Sequence, residues 1–316
     1  MRTPVCELLG IEHPIVEAPL AVDPRLPAAV SNAGGLGTVG LGWADDAGEV
    51  VRQVAELTDR PFAGNFVLAF DQHQRIDQAL SAGLRIVSLF WGDPQDYVEL
   101  VHDGGGVVMH TVGSVEQARH AVGCGVDIVV AQGWEAGGHV WSGVATLPLV
   151  PAVVDAVDPV PVIAAGGIGD ARGVAAVIAL GAQAALLGTR FLLAEEMPIH
   201  DEYRRRVIAA AETEAEWYPN LYEVGWPDAS HRALHNSTAE MWEAAGRPAP
   251  GSRPHEGEVI AHFASGEAIV RYEPAPPMVG TTGEIEPLSM WAGQSVALAS
   301  RTQPAAEIVA ELVSRL

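Results

Sequence analysis

Short apolar runs, each ending in small or polar residues, recur along the first two thirds of the chain, with segments of helical apolar spacing between them. The runs are 14–19, 35–40, 62–67, 85–90, 106–110, 126–131, 161–167 and 184–189. The intervening helical patterns cover 47–57, 75–82, 115–122, 147–157 and 173–180. Near-continuous apolar strands imply burial on both faces, which favours a parallel sheet enclosed by helices over an antiparallel one. About eight such strands make an α/β fold, a (β/α)8 TIM barrel, the expectation. A doubly wound open sheet is the structural alternative. The barrel is preferred because polar and glycine residues fall at the C-terminal ends of most strands, where barrel enzymes gather their sites.

After Phe191-Leu192-Leu193 the rhythm changes. The expected organisation is a barrel core over 1–194, an inserted lid or subdomain over 195–290, and a C-terminal segment, 291–316, whose helix closes the barrel. Within the insert, His200 to Glu216 has helical character, whereas 247–254 and 273–277 are proline-rich connectors. The insert is expected to cover the barrel mouth or to form a subunit contact, as in a homodimer. Ile308, Val309, Leu312 and Val313 mark the last helix.

Composition narrows the function classes. Asp and Glu number 40 against 18 Lys and Arg, a formal charge of −22 whose field repels nucleic acid and anionic lipid headgroups. Two cysteines, Cys6 and Cys124, make no disulfide framework, and no His, Cys or carboxylate spacing suggests a metal. The first ten residues lack a secretory pattern, and no apolar run approaches the ~20 residues of a membrane span. A soluble cytoplasmic protein is expected.

The candidate chemistry centres on Gln132-Gly133-Trp134-Glu135-Ala136-Gly137-Gly138-His139, directly after the apolar run 126–131. A buried strand here opens into a loop whose paired glycines permit positive φ or close approach of a flat ligand. His139 is the loop's one side chain that titrates near neutrality and is read as the acid or base. Farther on, Ala164-Ala165-Gly166-Gly167-Ile168-Gly169-Asp170 and Gly188-Thr189-Arg190 end consecutive strands. Either alone makes a tight βα turn; together, as strands seven and eight of a barrel, they favour a phosphate site. Gly34-Gly35-Leu36-Gly37 has the wrong spacing for a dinucleotide fingerprint. His110 and Thr111 end a strand, Trp134 and Trp141 are candidate pocket walls, and His231, His235 and Trp242 are candidate lid residues or one face of an amphipathic helix.

The order of these motifs resembles the nitronate monooxygenases (2-nitropropane dioxygenases), FMN enzymes on a (β/α)8 barrel. The resemblance rests on Glu17-Ala18-Pro19-Leu20-Ala21, Ser31 to Gly37, Gly64-Asn65, Ala131 to His139, Ala164 to Ile168 and Gly188 to Leu192, with Ala292 to Val296 as a C-terminal element. It implies that Pro19, Leu20, Asn65, Gln132, Gly137 and Gly138 surround the isoalloxazine. It also implies that Ala165, Gly166, Gly167, Gly188 and Thr189 hold the FMN phosphate end. Leu20 stands where the family usually has Met and keeps an apolar contact. By the same resemblance His139 is the base that removes the proton beside a nitro group. The flavin then passes electrons from the small-molecule nitronate to O2, giving a carbonyl compound and nitrite. The fold and the Gly-Gly-His loop also resemble flavin enoyl-reductases and NAD(P)H:quinone reductases, in which His139 would donate a proton or anchor the substrate.

Overall fold

A computed structural model describes residues 1–316. Eight parallel strands form one sheet: β1 Ile15–Glu17, β2 Gly37–Gly40, β3 Phe62–Val67, β4 Ile86–Phe90, β5 Val107–Val112, β6 Ile128–Gln132, β7 Val162–Ala165 and β8 Ala184–Leu187. Each pairs with its sequence neighbour, and β8 pairs with β1 through Ile15–Ala185 to Glu17–Leu187. The last seam, between β1 and β2, is a single bridge from Val16 to Leu36. There Leu36 N donates to Ile15 O and Glu17 N to Leu36 O, both at 2.9 Å, and the barrel closes. Beyond that point Thr38 N bonds the Glu17 carboxyl at 3.1 Å, so a side chain continues the seam where backbone pairing stops.

Strand alternation sorts the apolar residues into two layers. Val16, Leu36, Ala63, Ile86, Met109, Ile128, Val130, Ile163 and Ala184 fill the lower barrel, capped from below by Val5, Cys6, Leu9 and Ile11. Most of the last group comes from a helix, Pro4–Leu9, absent from the sequence expectation because six residues carry too little periodicity. Thr3 caps its start and Gly10, at φ 70°, ends it. Residues of the other parity, such as Ile15, Val39, Phe66, Val87, Val129 and Leu187, pack outward against the helices. Each fully buried Val, Ile, Leu or Phe contributes about 1.5–3 kcal/mol. Gly37 is required by this packing, since a Cβ there would lie 1.9 Å from Pro27 O of the helix Arg25–Asn32.

The insert differs from expectation at its start. The helix covers Asp201–Ala209, not the whole of 200–216, because Ala210 turns extended at ψ 136° and Ala215–Tyr218 forms a strand. Trp217 and Tyr218 find cross-strand partners in Arg232 and His231, which outweighs the helical spacing. The strand His231–Leu234 also pairs with Gly138–His139, so the insert is stitched to the loop after β6. A helix, Ser237–Ala244, and a second small sheet, Val259–His262 with Ala268–Val270 and Thr282–Gly283, complete it. The final helix, Ala305–Leu312, packs against the helices Arg25–Asn32 and Ala171–Ala179. No helix is long and apolar enough to cross a membrane.

Candidate active site

Above the apolar lower layer, the next inward position on each of five consecutive strands is polar: Thr38, Asn65, Ser88, Thr111 and Gln132. This ring lies at the C-terminal end of the barrel. Asn65 Nδ2 donates to Ser88 O at 3.2 Å and to Ser88 Oγ at 3.1 Å. Gln132 holds the following loop, its Nε2 donating to His139 O at 3.1 Å and its Oε1 accepting from Trp141 N at 2.8 Å. Thr38 Oγ1 is buried without a partner.

His139 sits in an aromatic box. Trp226 stacks on its ring with centroids 3.9 Å apart and planes inclined by 27°, while Trp291, Trp91 and His231 lie at 5.5, 5.9 and 6.0 Å. Burial, with a smaller repulsion from His231, pushes the His139 pKa down to about 3. The near-neutral titration expected from sequence is therefore not what this ring shows, because a charged imidazole would lose its water here without gaining an acceptor. It is a neutral imidazole, and its Nε2 is buried without a hydrogen-bond partner. His231 is neutral as well, pushed to about 4 by burial; its Nε2 accepts from Tyr222 N and its Nδ1 faces Ala229 O.

Beneath the loop lies a cation, Arg232, that is not among the candidates read from sequence. Arg232 is buried, and its guanidinium donates to the carbonyls of Ala136, Ala215 and Trp134 at 3.2, 3.0 and 2.9 Å, lying over the Trp134 ring. It locks the backbone that carries Gly137 to His139. Alternation in the strand His231–Leu234, with His231 and Arg232 on opposite faces, was the available signal, hidden by a reading of this stretch as helix or lid. Glu135 points away from His139, accepting from Thr146 N and Oγ1 at 2.9 and 3.0 Å.

The glycine turns after β7 and β8 expose backbone donors. Gly166 and Gly167 adopt φ of 96° and 72°. The amides of Gly166, Gly167, Ile168, Gly169, Gly188 and Thr189 find no acceptor within the protein. Asp170 caps the helix Ala171–Ala179, and Gly169 and Asp170 also line a cavity of about 90 Å³ with Arg190, Arg301 and Glu311. Thr189 Oγ1 accepts from Gly293 N at 2.9 Å, which draws the segment Ala292 to Ser295 into the site. Gly137 is glycine because of this segment: a Cβ would lie 2.4 Å from Gly293 N. Gly138, at φ 68°, meets nothing within 4 Å of its missing Cβ and faces open space. Its neighbour thus serves backbone packing, and Gly138 alone keeps the free approach that the sequence suggested for both.

The other candidates separate clearly. Pro19 and Leu20 are half-buried after β1, Leu20 reaching 3.7 Å from the missing Cβ of Gly188. Ala165 is buried in the lower barrel layer just before the turn. His110 shares strand parity with Val108 and Val112 and points outward from the barrel, its pKa pushed to about 4 by burial. Trp141 joins the box against Trp91 at 4.5 Å, whereas Trp134 packs on Trp217. Trp242 is core of the insert and His235 pairs with Glu243 at 3.4 Å. Two trios that sequence spacing did not suggest, Asp93 with His120 and Cys124 and Glu216 with His235 and Glu243, bring ligand-type atoms within 4.8 Å of one another. Neither includes a residue of the site described here.

Against known proteins, a model of the nitronate monooxygenase family matches residues 2–73 and 65–315. A nitronate monooxygenase of Paraburkholderia phytofirmans is 33% identical over 98% of this chain and 93% of its own length. The (3aS,4S,5R,7aS)-5-hydroxy-7a-methyl-1-oxo-octahydro-1H-indene-4-carboxyl-CoA dehydrogenase of Mycobacterium tuberculosis is 37% identical over 66% of this chain, which spans 61% of that relative. Among solved structures, FabK from Thermotoga maritima superposes with a TM-score of 0.82 at 30% identity, covering 100% of this chain and 96% of its own.

Proposed function

Since the chain belongs to the nitronate monooxygenase family of oxidoreductases, we propose that it binds FMN at the barrel mouth and oxidises nitronates with O2 to a carbonyl compound and nitrite. The fit of a flavin is supported by donors that the chain leaves free. A phosphate needs amides and a hydroxyl, and the amides of Gly166 to Gly169, Gly188 and Thr189 lack acceptors. A ring edge needs a few donors and acceptors above an apolar floor, which Thr38, Asn65, Ser88 and Thr111 supply, Gln132 being engaged by the loop. These residues would hold the flavin, whose redox chemistry would carry electrons from the nitronate to oxygen.

The protein's own part centres on His139. Its neutral ring and unpartnered Nε2 can take the proton beside a nitro group, and the imidazolium so formed is stabilised by the nitronate it has just created. Gln132 and Arg232 fix the loop so that this atom is held in place. The aromatic box excludes water. The observation that carries the reading is this neutral, unpartnered imidazole at the mouth, beside strand ends whose amides are free.

A second reading, an NAD(P)H-dependent flavin reductase acting on an enoyl thioester or quinone, is favoured by the likeness to FabK and to the CoA dehydrogenase. Arg232 at the mouth is already bonded to three backbone carbonyls, whereas Arg190, beside Gly169, keeps its buried Nη1 without a partner. Oxygen uptake matched by nitrite release with an alkyl nitronate supports the first reading. Oxidation of NADH or NADPH dependent on crotonyl thioester or quinone, without nitrite from nitronates, overturns it.

A further inference from the structure

We propose that Trp226 is the gate and specificity-determining residue of this site, and that its substrates are flat, ring-bearing oxyanions, an aryl nitronate in place of a small alkyl one. The inference rests on the proposed reading only for the nitronate group itself.

Trp226 lies in the segment between the strands Ala215–Tyr218 and His231–Leu234 and is buried against His139. Its indole covers the face of the imidazole, so any substrate that reaches His139 through this face must displace it. The segment turns on two residues in the left-handed region, Gly225 at φ 84° and Asp228 at φ 58°, one on either side of the indole. Short-range bonds to Glu223 hold the turn, from Trp226 N at 2.9 Å and from Asp228 N at 3.4 Å.

Two buried polar atoms in the box lack partners, the Trp226 indole N–H and His139 Nε2, on rings stacked against each other. An orphaned buried donor is costly, and its persistence points to a ligand atom that completes it. The indole N–H and, once it carries the proton, His139 Nε2–H suit the paired oxygens of a nitronate, or of a carboxylate that enters with its proton. Around them are mainly rings: Trp91, Phe70 and Trp43 lie 5.4, 5.9 and 6.0 Å from Trp226, with Val67 and Ala229 packed in the same cluster, and Trp43 is exposed. The slot that a displaced indole leaves is as thin as an aromatic ring and walled by aromatic faces, so it rewards a flat apolar substituent.

Benzoate and isobutyrate are redox-inert carboxylates matching an aryl and an alkyl nitronate, and their binding to the purified holoprotein is measurable by calorimetry. Benzoate is expected to bind about tenfold more tightly than isobutyrate. Trp226→Ala, which opens the slot with no ring left to displace, is expected to widen the preference for benzoate beyond about tenfold. Trp226→Phe keeps the preference for benzoate but weakens both ligands by about tenfold through loss of the N–H. Unchanged flavin content and melting temperature in Trp226→Phe show that the fold is intact. Equal affinities in the parent, no binding of either carboxylate, or a preference that stays the same or narrows in Trp226→Ala overturns the proposal. Because these ligands are not turned over, the gate stands or falls separately from nitronate oxidation.

Discussion

Replacing Glu17 with Gln should stabilise the protein, and by more at each higher pH. Glu17 is buried at the β1–β2 seam, where its carboxyl accepts from Thr38 N, and burial holds its pKa well above the ordinary 4.5. The folded state therefore keeps a proton that the unfolded chain releases. Stability from this group is complete below its unfolded value and is lost as pH rises toward the folded one. A one-proton difference costs about 1.4 kcal/mol per pH unit, so up to about 2.7 kcal/mol accumulates between roughly pH 5.5 and 7.5. Gln is nearly isosteric, keeps an oxygen for Thr38 N and has no proton to lose. The advantage of Glu17→Gln in melting temperature should widen with pH over that interval, by at most about 5 °C for a chain of this size. Thermal unfolding of parent and variant at three pH values reads it directly. Parallel curves, with an offset independent of pH, would refute the reasoning, because they would mean that the buried carboxyl is ionised in the fold.

On the acid side the sign reverses. His110, His139 and His231 have pKa values depressed from 6.5 to about 4, 3 and 4, so their contribution is complete above pH 6.5 and is lost as pH falls. Up to about 4 kcal/mol per pH unit should disappear below that point, and a urea midpoint unchanged between about pH 6.5 and 5 would contradict it. His139→Ala should retain flavin but lose about 10²–10⁴-fold in activity on neutral nitroalkanes, with partial activity on preformed nitronates, as steady-state kinetics with each substrate will show. Gly137→Ala forces a Cβ to 2.4 Å from Gly293 N; the expected cost is about 1–3 kcal/mol, together with weaker flavin retention, measured by unfolding and by cofactor content after dialysis. Arg232→Met strands three carbonyls and should destabilise by about 3 kcal/mol or more, detectable in the same unfolding assay.

The barrel was legible because its strands are apolar on both faces and end in polar or glycine residues, a pattern that survives without any knowledge of contacts. The loop around His139 and the glycine turns were legible for the same reason, since Gly166 and Gly167 do take positive φ. What stayed hidden is what comes from far along the chain. Trp226, His231, Arg232 and Trp291 close on His139 from the insert and from the C-terminal segment, and nothing local marks them as partners of residue 139. The depressed pKa of His139 is hidden for that reason: most of the rings that bury it, Trp91, Trp226, His231 and Trp291, lie far from it in sequence. Gly137 answers to Gly293, another long-range contact invisible to local spacing. The helical pattern over 200–216 broke where cross-strand pairing of Trp217 and Tyr218 took over.

The central claim is that electrons enter from a nitronate. Its most direct test is the visible spectrum of the purified protein under anaerobic conditions, mixed in turn with an alkyl or aryl nitronate and with NADH or NADPH. Bleaching of a flavin band by the nitronate, with none by either nicotinamide, is the result expected here. Bleaching by a nicotinamide and not by nitronates would contradict it and make His139 a proton donor to a reduced substrate, and a protein that takes up no flavin would overturn the account altogether.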